Sequence, residues 1–163
     1  VQVTSNTPVG AAVRLVRSAG EYPERSQALI HDQAWAQAAL PGAADSGLLA
    51  VPRAASLTSA VTVANSGAAT SVTLSSVDGS WSQDVAVAKG SAVVVEVPTE
   101  VAAVRLSAAG QESASGTSRT PSGLAAATIV TAQAGGDLTG TLISTVPAQP
   151  DASVRAQRSI LLG

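Results

Sequence analysis

Apolar residues recur at every second position through the middle of this chain. Val61 and Val63, for example, alternate with Ala60, Thr62 and Ala64. Such alternation is typical of strands that bury one face, and β-branched Val and Thr suit a pleated sheet. Four successive runs share the pattern: Leu57–Ala64, Thr70–Val77, Asp84–Ala88 and Ser91–Val97.

Turn-forming residues separate these runs. The breaks are Asn65-Ser66-Gly67, Asp78-Gly79 and Lys89-Gly90, and Asn, Asp and Gly tolerate the positive φ of tight hairpin turns. Strands that follow one another at intervals of roughly 8–12 residues favour an antiparallel meander or sandwich over a parallel sheet. We therefore predict an all-β protein with an antiparallel β-sandwich, immunoglobulin-like or related.

The alternation also predicts which side chains form the core. Each is a medium-sized aliphatic residue on the apolar phase of its strand. They are Val61, Val63, Val72, Leu74, Val85, Val87, Val93, Val95, Val104 and Leu106.

The C-terminal part supplies further predicted strands and one loop. We expect strands at Gly123–Ala132, Leu138–Val146 and Ser153–Leu162, the last docked into a sheet. Pro147 and Pro150 favour an edge position, because proline cannot donate to a sheet ladder. The Ser/Gly-rich stretch 107–122 has no apolar period and is expected to be an exposed loop.

Residues 24–40 admit two interpretations. Good helix formers followed by Pro41-Gly42 are compatible with one short helix, whereas an extended segment with a bulge around Asp32 is the alternative. Trp35 lies among alanines, which leave room for a large ring, so we expect it to anchor the core.

An internal similarity bears on domain organisation. Thr7–Leu15 recurs as Thr99–Leu106 with one residue fewer. The chain is then one sandwich unit over 1–163, or a partial module over 1–52 followed by a main sandwich over 53–163. Arg14 and Arg105 occupy matching positions, and we expect both on solvent-facing sides of strands. Because the chain starts at Val1, within a predicted strand, we expect it to be part of a longer protein.

Composition excludes several function classes. The chain has no Cys and one His, and nine basic residues stand against eleven acidic ones. It therefore has no thiolate zinc site and no basic stripe for nucleic acid. No apolar stretch is long enough to be a transmembrane segment. His31 beside Asp32 has no recognisable nucleophile motif near it, so we expect no enzyme activity, no catalytic residues, no cofactor and no metal site.

One group of residues is a candidate ligand contact. Trp81 follows the predicted Asp78-Gly79 turn, where an indole ring can stack on a sugar or cap the sandwich. Asp78 and Asp84 lie within a few residues of it and offer carboxylates as polar partners. A carbohydrate-binding module that uses Trp81 is thus an alternative function.

Four segments together resemble a family from the actinobacterial cell envelope that is known only as a domain of unknown function. They are Pro8–Val13, Asp32–Trp35, Val61–Gly67 and Val93–Val97. The family typically has Asn-Pro where this chain has Asn65-Ser66.

The resemblance implies β-sandwich-like repeats and an extracytoplasmic location, either secreted or tethered to the membrane through a segment outside this chain. It carries no functional residue. We accordingly expect a non-enzymatic structural or interaction module, whose partner is an envelope protein or a cell-wall glycan.

Overall fold

The protein is described by a computed structural model that covers residues 3, 5–7, 10–19, 30–37, 46–109, 123–133 and 141–150. Within these ranges every regular element is a β-strand. The strands are β1 (Ala12–Ala19), β2 (Ile30–Gln37), β3 (Ser46–Ala50), β4 (Leu57–Asn65), β5 (Thr70–Ser76), β6 (Ser82–Val87), β7 (Ser91–Val95), β8 (Ala103–Ala108), β9 (Leu124–Gln133), β10 (Thr141–Pro147) and β11 (Gln149–Pro150).

The strands form two packed sheets and a separate ribbon. Sheet A has the order β10-β9-β4-β7, and sheet B has the order β11-β3-β8-β5-β6. All described pairings are antiparallel. Among the described residues, β1 and β2 pair only with each other, and we call them the β1–β2 ribbon. The predicted all-β antiparallel sandwich is confirmed, and the immunoglobulin-like subtype stays a prediction.

In a meander, consecutive strands pair within one sheet, whereas the central strands of this chain change from one sheet to the other. β5 and β6 are joined by the Asp78-Gly79 turn, and Gly79 has a φ of 77°. β4, in contrast, pairs with β7 and β9, while β5 pairs with β6 and β8. The chain therefore crosses from one sheet to the other between β4 and β5, and returns between β6 and β7.

The core lies between sheets A and B and matches the sequence prediction closely. All of the predicted core residues are buried except Val93, which is partly buried and packs against the same cluster. Leu49, Val51 and Leu124 are fully buried additions. Burying a side chain of this size contributes about 1.5–3 kcal/mol, so the interior of the sandwich is the main source of its stability.

Three polar side chains donate hydrogen bonds to backbone carbonyls of other segments. Arg53 donates to the carbonyls of Val97, Pro98 and Val101 at 2.8–3.1 Å and fixes the connection between β7 and β8. Asn65 Nδ2 donates across to the Val87 carbonyl of sheet B at 3.1 Å. The third, Thr128, likewise reaches from sheet A to sheet B. Specific hydrogen bonds therefore stabilise the sandwich in addition to apolar packing.

Proline marks the edges as expected. In the part of the chain that the structure describes, Pro147 ends β10, an edge strand of sheet A, and Pro150 lies in β11, an edge strand of sheet B. The predicted strands at Gly123–Ala132 and Leu138–Val146 correspond to β9 and β10, whereas the predicted strand Ser153–Leu162 lies outside the described residues.

Of the two interpretations of 24–40, the extended one is confirmed for the described residues 30–37, which form β2; the register with β1 is continuous through Asp32, so the expected bulge is not found there. Two other sequence predictions are wrong. Trp35 is 60% exposed and does not anchor the core. The predicted loop 107–122 begins too early, because β8 continues through Ala108; residues 110–122 lie outside the described ranges.

Candidate ligand-binding surfaces

The turn between β5 and β6 carries the first predicted site residue. Asp78 Oδ1 accepts hydrogen bonds from the backbone N–H and the hydroxyl of Ser80, at 3.0 and 2.8 Å. Hydrogen bonding from the Ser76 hydroxyl and then from Ser80 lowers the pKa of the Asp78 carboxyl to about 2. Ser80 makes the two bonds of normal length to Asp78, and the Ser76 hydroxyl belongs to the same cluster, because its Oγ lies 3.2 Å from the Ser80 hydroxyl. Asp78 is therefore an exposed carboxylate that is ionised at neutral pH.

Trp81 lies on the same turn but is directed toward the sandwich. Its backbone N–H donates to Ser76 Oγ at 2.9 Å, and its carbonyl accepts from the Ser76 N–H at 2.8 Å. The residue is partly buried and packs against the core cluster. This position is the one expected of an indole that covers the end of the sandwich, and part of the residue remains accessible.

Asp84 occupies a different surface. It lies on the exposed side of β6, where its Oδ1 accepts a 2.6 Å hydrogen bond from the hydroxyl of the directly paired Thr73. The core side of the same strand carries Val85 and Val87. The structure therefore brings Asp78 and Trp81 to one turn, whereas Asp84 belongs to the outer face of sheet B.

A second surface, which the sequence did not predict, is built by the β1–β2 ribbon. The ribbon packs against β10, the edge of sheet A. Asp32 Oδ2 accepts a short hydrogen bond from the backbone N–H of Ile143, and Thr145 Oγ1 donates to the Trp35 carbonyl at 3.2 Å. The outer side of an edge strand has backbone N–H and C=O groups that can pair with a strand of another chain. The Asp32 carboxylate accepts from one of these groups, the Ile143 N–H.

The two faces of the ribbon differ in character. The register pairs Arg14 with Trp35 and Val16 with Gln33, and directly paired residues share a face. This outer face exposes Trp35 by 60% and Val16 by 55%. The opposite, inner face includes the buried Ala34, which faces the rest of the protein.

Between the inner side of the ribbon and sheet A lies a cavity of about 450 Å³. Its floor is the outer face of β4 and β9, where small side chains predominate. Leu15, Trp35 and Ala36 contribute from the ribbon, and Thr145 and Pro147 contribute from β10. The floor residues are Thr62, Ala64, Ala125, Ala127 and Ile129.

Thr62 is the exceptional member of this floor. Among the described residues, its hydroxyl is the buried side-chain oxygen that has no hydrogen-bond partner. Its neighbours on β4, Val61 and Val63, point into the core, so Thr62 points to the opposite face, where the cavity lies. A buried hydroxyl without a partner costs about 1–3 kcal/mol.

Several classes of site are not found in the described part of the chain. No group of three or more His, Cys, Asp or Glu side chains lies close enough together there to hold a metal ion. His31 forms part of β2 and is paired in register with Ser18. No helix within the described ranges has the length and apolar character needed to cross a lipid bilayer.

Comparison with known proteins gives no relative. No family model, no curated protein and no solved structure matches this chain. The resemblance to the envelope family therefore rests on the four segments quoted above.

The sequence did contain one signal for the cavity. β9 is apolar on both phases, since Leu124, Ala126 and Val130 face the core while Ala125, Ala127 and Ile129 face outward. Strands that are covered on both faces show such continuous apolar runs. This pattern indicates that something covers the outer face of sheet A, and the β1–β2 ribbon does so incompletely.

Proposed function

We propose that this chain is a non-enzymatic interaction module of an extracytoplasmic envelope protein, and that it binds a protein partner through the outer face of the β1–β2 ribbon. The observation that carries the proposal is the exposure of Trp35, which the ribbon presents beside Val16 and opposite Arg14. The envelope location is an implication of the family resemblance alone.

The chemistry of this face favours a protein partner. Trp and Arg are the residues that most often concentrate binding energy at protein interfaces. Val16 lies diagonally across from Trp35 in the register and extends the apolar area without adding a hydrogen-bonding group. Fully burying an aromatic side chain of this kind removes about 150–250 Å² from water, so Trp35 is the expected centre of the interface.

Site-specific photocrosslinking tests the proposal. A photoreactive residue at Val16 is exposed to an actinobacterial envelope protein fraction, and Val94, an equally exposed valine on β7, is the matched control position. We expect one adduct that forms at position 16 but not at 94. Unlabelled wild-type chain should compete for it, and a Trp35→Ala chain with an unchanged circular dichroism spectrum should not. Equal competition by Trp35→Ala, or the same adduct from position 94, contradicts the proposal.

Carbohydrate binding through Trp81 remains the second candidate, because the charged Asp78 lies on the same turn as this partly accessible Trp. Titration with purified cell-wall polysaccharide distinguishes the two functions. Saturable binding that Trp81→Ala abolishes and Trp35→Ala leaves intact favours the carbohydrate module. Crosslinking at Val16 without polysaccharide binding favours the protein interface.

A further inference from the structure

We infer that the protein partner of the β1–β2 ribbon inserts a large uncharged apolar side chain, such as Leu, Ile or Phe, into the cavity beside Trp35 and places a carboxylate against Arg14. This inference rests on the proposed function, because it concerns the same surface. The observation that carries it is the double position of Trp35, which is 60% exposed and also lines the cavity. A partner that covers Trp35 therefore reaches the cavity as well.

The cavity is accessible and its wall is held in place. It is partly open to solvent, so a side chain can enter it from outside. Thr145 Oγ1 donates to the Trp35 carbonyl at 3.2 Å, and Thr145 and Pro147 line the same cavity. Asp32 accepts from the Ile143 N–H and thereby ties the ribbon to β10. A site that is already formed loses less free energy to ordering when a partner binds.

The lining determines the chemistry of the inserted group. None of the described residues that line the cavity is ionisable, and most are Ala, Leu, Ile or Pro. A charged group in such surroundings is unfavourable unless a partner neutralises it. The Thr62 hydroxyl is too deeply buried to meet an inserted atom, and the Thr145 hydroxyl already donates to Trp35. The group that fits is therefore a hydrocarbon side chain.

The size of the cavity favours a large side chain over a small one. Its volume of about 450 Å³ is about three times that of the ~150 Å³ apolar cavity that holds a benzene ring. Alanines keep its floor low, because Ala64 pairs directly with Ala125 and Thr62 pairs with Ala127 in the interior strands of sheet A. A Leu, Ile or Phe side chain fits above this floor, whereas Ala would leave most of the space empty.

Arg14 adds a charge to the apolar site. It is exposed and directly paired with Trp35, so the two residues share the outer face of the ribbon. The neighbouring pair on this face, Val16 and Gln33, is uncharged. A guanidinium binds a carboxylate through two parallel hydrogen bonds. The expected partner segment therefore has Asp or Glu close to its large apolar residue.

Selection from a library of short linear peptides tests the inference on the full 163-residue chain. Peptides are selected on the wild type and counter-selected on Ala127→Leu, which fills the cavity. Ala86→Leu, on the exposed side of β6, is the matched control. We expect the enriched peptides to share Leu, Ile or Phe next to Asp or Glu. In calorimetry their affinity should fall at least tenfold on Ala127→Leu and stay unchanged on Ala86→Leu.

A double-mutant cycle shows whether the apolar side chain enters the cavity. Changing it to Ala in the peptide should weaken binding to the wild type at least tenfold. The same change should have little effect on binding to Ala127→Leu, because the two changes remove one contact. Ala125→Leu replaces Ala127→Leu if circular dichroism shows that the latter is not folded as the wild type. Arg14→Gln should weaken the acidic peptides by about two- to fivefold.

The inference is overturned if no peptide binds the wild type saturably, if the two changes of the cycle act additively, or if Arg14→Gln leaves the affinity unchanged. A wild-type chain that dimerises while Ala127→Leu stays monomeric would make a second copy the occupant, and would also overturn it. Failure of the proposed function gives a different result, namely no Val16 adduct or equal competition by Trp35→Ala. Peptides that depend on Ala127 would then still support the chemistry inferred for the cavity.

Discussion

The hydroxyl of Thr128 donates a 2.7 Å hydrogen bond to the backbone carbonyl of Ala50, joining β9 of sheet A to β3 of sheet B. Thr128 is fully buried, so water does not compete for this bond. It lies on the core-facing phase of β9, between Ala126 and Val130. A polar side chain at this position is tolerated because its hydrogen bond is made within the protein.

Removing this hydroxyl should destabilise the sandwich. Thr128→Val preserves the shape and deletes the bond, and we expect a loss of about 1 kcal/mol in the free energy of unfolding. Thr131→Val is the matched control on the same strand, since its hydroxyl makes an exposed 3.4 Å contact with the Thr58 carbonyl. Urea unfolding should place the control within about 0.5 kcal/mol of wild type. Equal stabilities for the two variants would argue against a structural role for the bond.

The position of Thr128 also shows what the sequence can and cannot predict. Period-two alternation placed Val61, Val63 and their counterparts in the core correctly, because one face of each central strand must be buried. The same alternation puts Thr128 inward but does not name Ala50 as its partner. Pairing between β9 and β4, or between β5 and β8, joins distant segments that carry no local signal of their neighbours.

The predicted burial of Trp35 is wrong for a different reason. Its size and its alanine neighbours suggested a buried ring, yet apolar residues are common on protein surfaces and their size alone does not place them inside. β2 belongs to a two-stranded ribbon with only one face against the protein, and Trp35 lies on the other face. The candidate surfaces around the ribbon depend on this packing, which local pattern does not determine.

The close approach of Gly67 and Gly123 gives a second prediction. Ser66 donates to the Gly123 carbonyl through its backbone N–H at 2.9 Å and through its hydroxyl at 3.0 Å. A Cβ built at Gly123 would lie 2.6 Å from Gly67 Cα, where backbone must move.

Gly123→Ala should therefore lower the melting temperature substantially, with a cost of about 1–3 kcal/mol from overpacking. Gly10→Ala is the control, because a Cβ there meets no atom within 4 Å. Thermal unfolding followed by circular dichroism measures both variants. If Gly123→Ala and the Gly10→Ala control had the same melting temperature, the backbone at Gly67 and Gly123 could move apart with no loss of stability.

The contact between Asp32 and the edge of sheet A leads to a third prediction. Asp32→Ala removes the acceptor of the Ile143 N–H, so we expect faster hydrogen exchange at this amide and a greater tendency to aggregate through β10. Asp84→Ala, which removes an exposed acceptor for Thr73, is the control and should leave Ile143 unchanged. Unaltered exchange at Ile143 in Asp32→Ala would mean that other contacts hold the ribbon on β10.

The turn at Asp78 predicts a pH dependence in the acid range. Its folded pKa of about 2 lies below the ordinary value of 3.8, so the unfolded chain binds a proton more readily than the folded one. The stabilisation from this carboxylate is therefore complete above the ordinary pKa and is lost as the pH falls through the folded pKa.

Ser80→Ala removes the hydroxyl that donates to Asp78 at 2.8 Å and should raise the pKa of Asp78 toward its ordinary value. Carboxyl ¹³C titration by NMR measures the shift directly, and Asp78→Asn should flatten the acid limb of the stability curve. A wild-type Asp78 that titrates near its ordinary pKa, or an acid limb that Asp78→Asn leaves unchanged, would show that the turn does not hold the carboxylate as described.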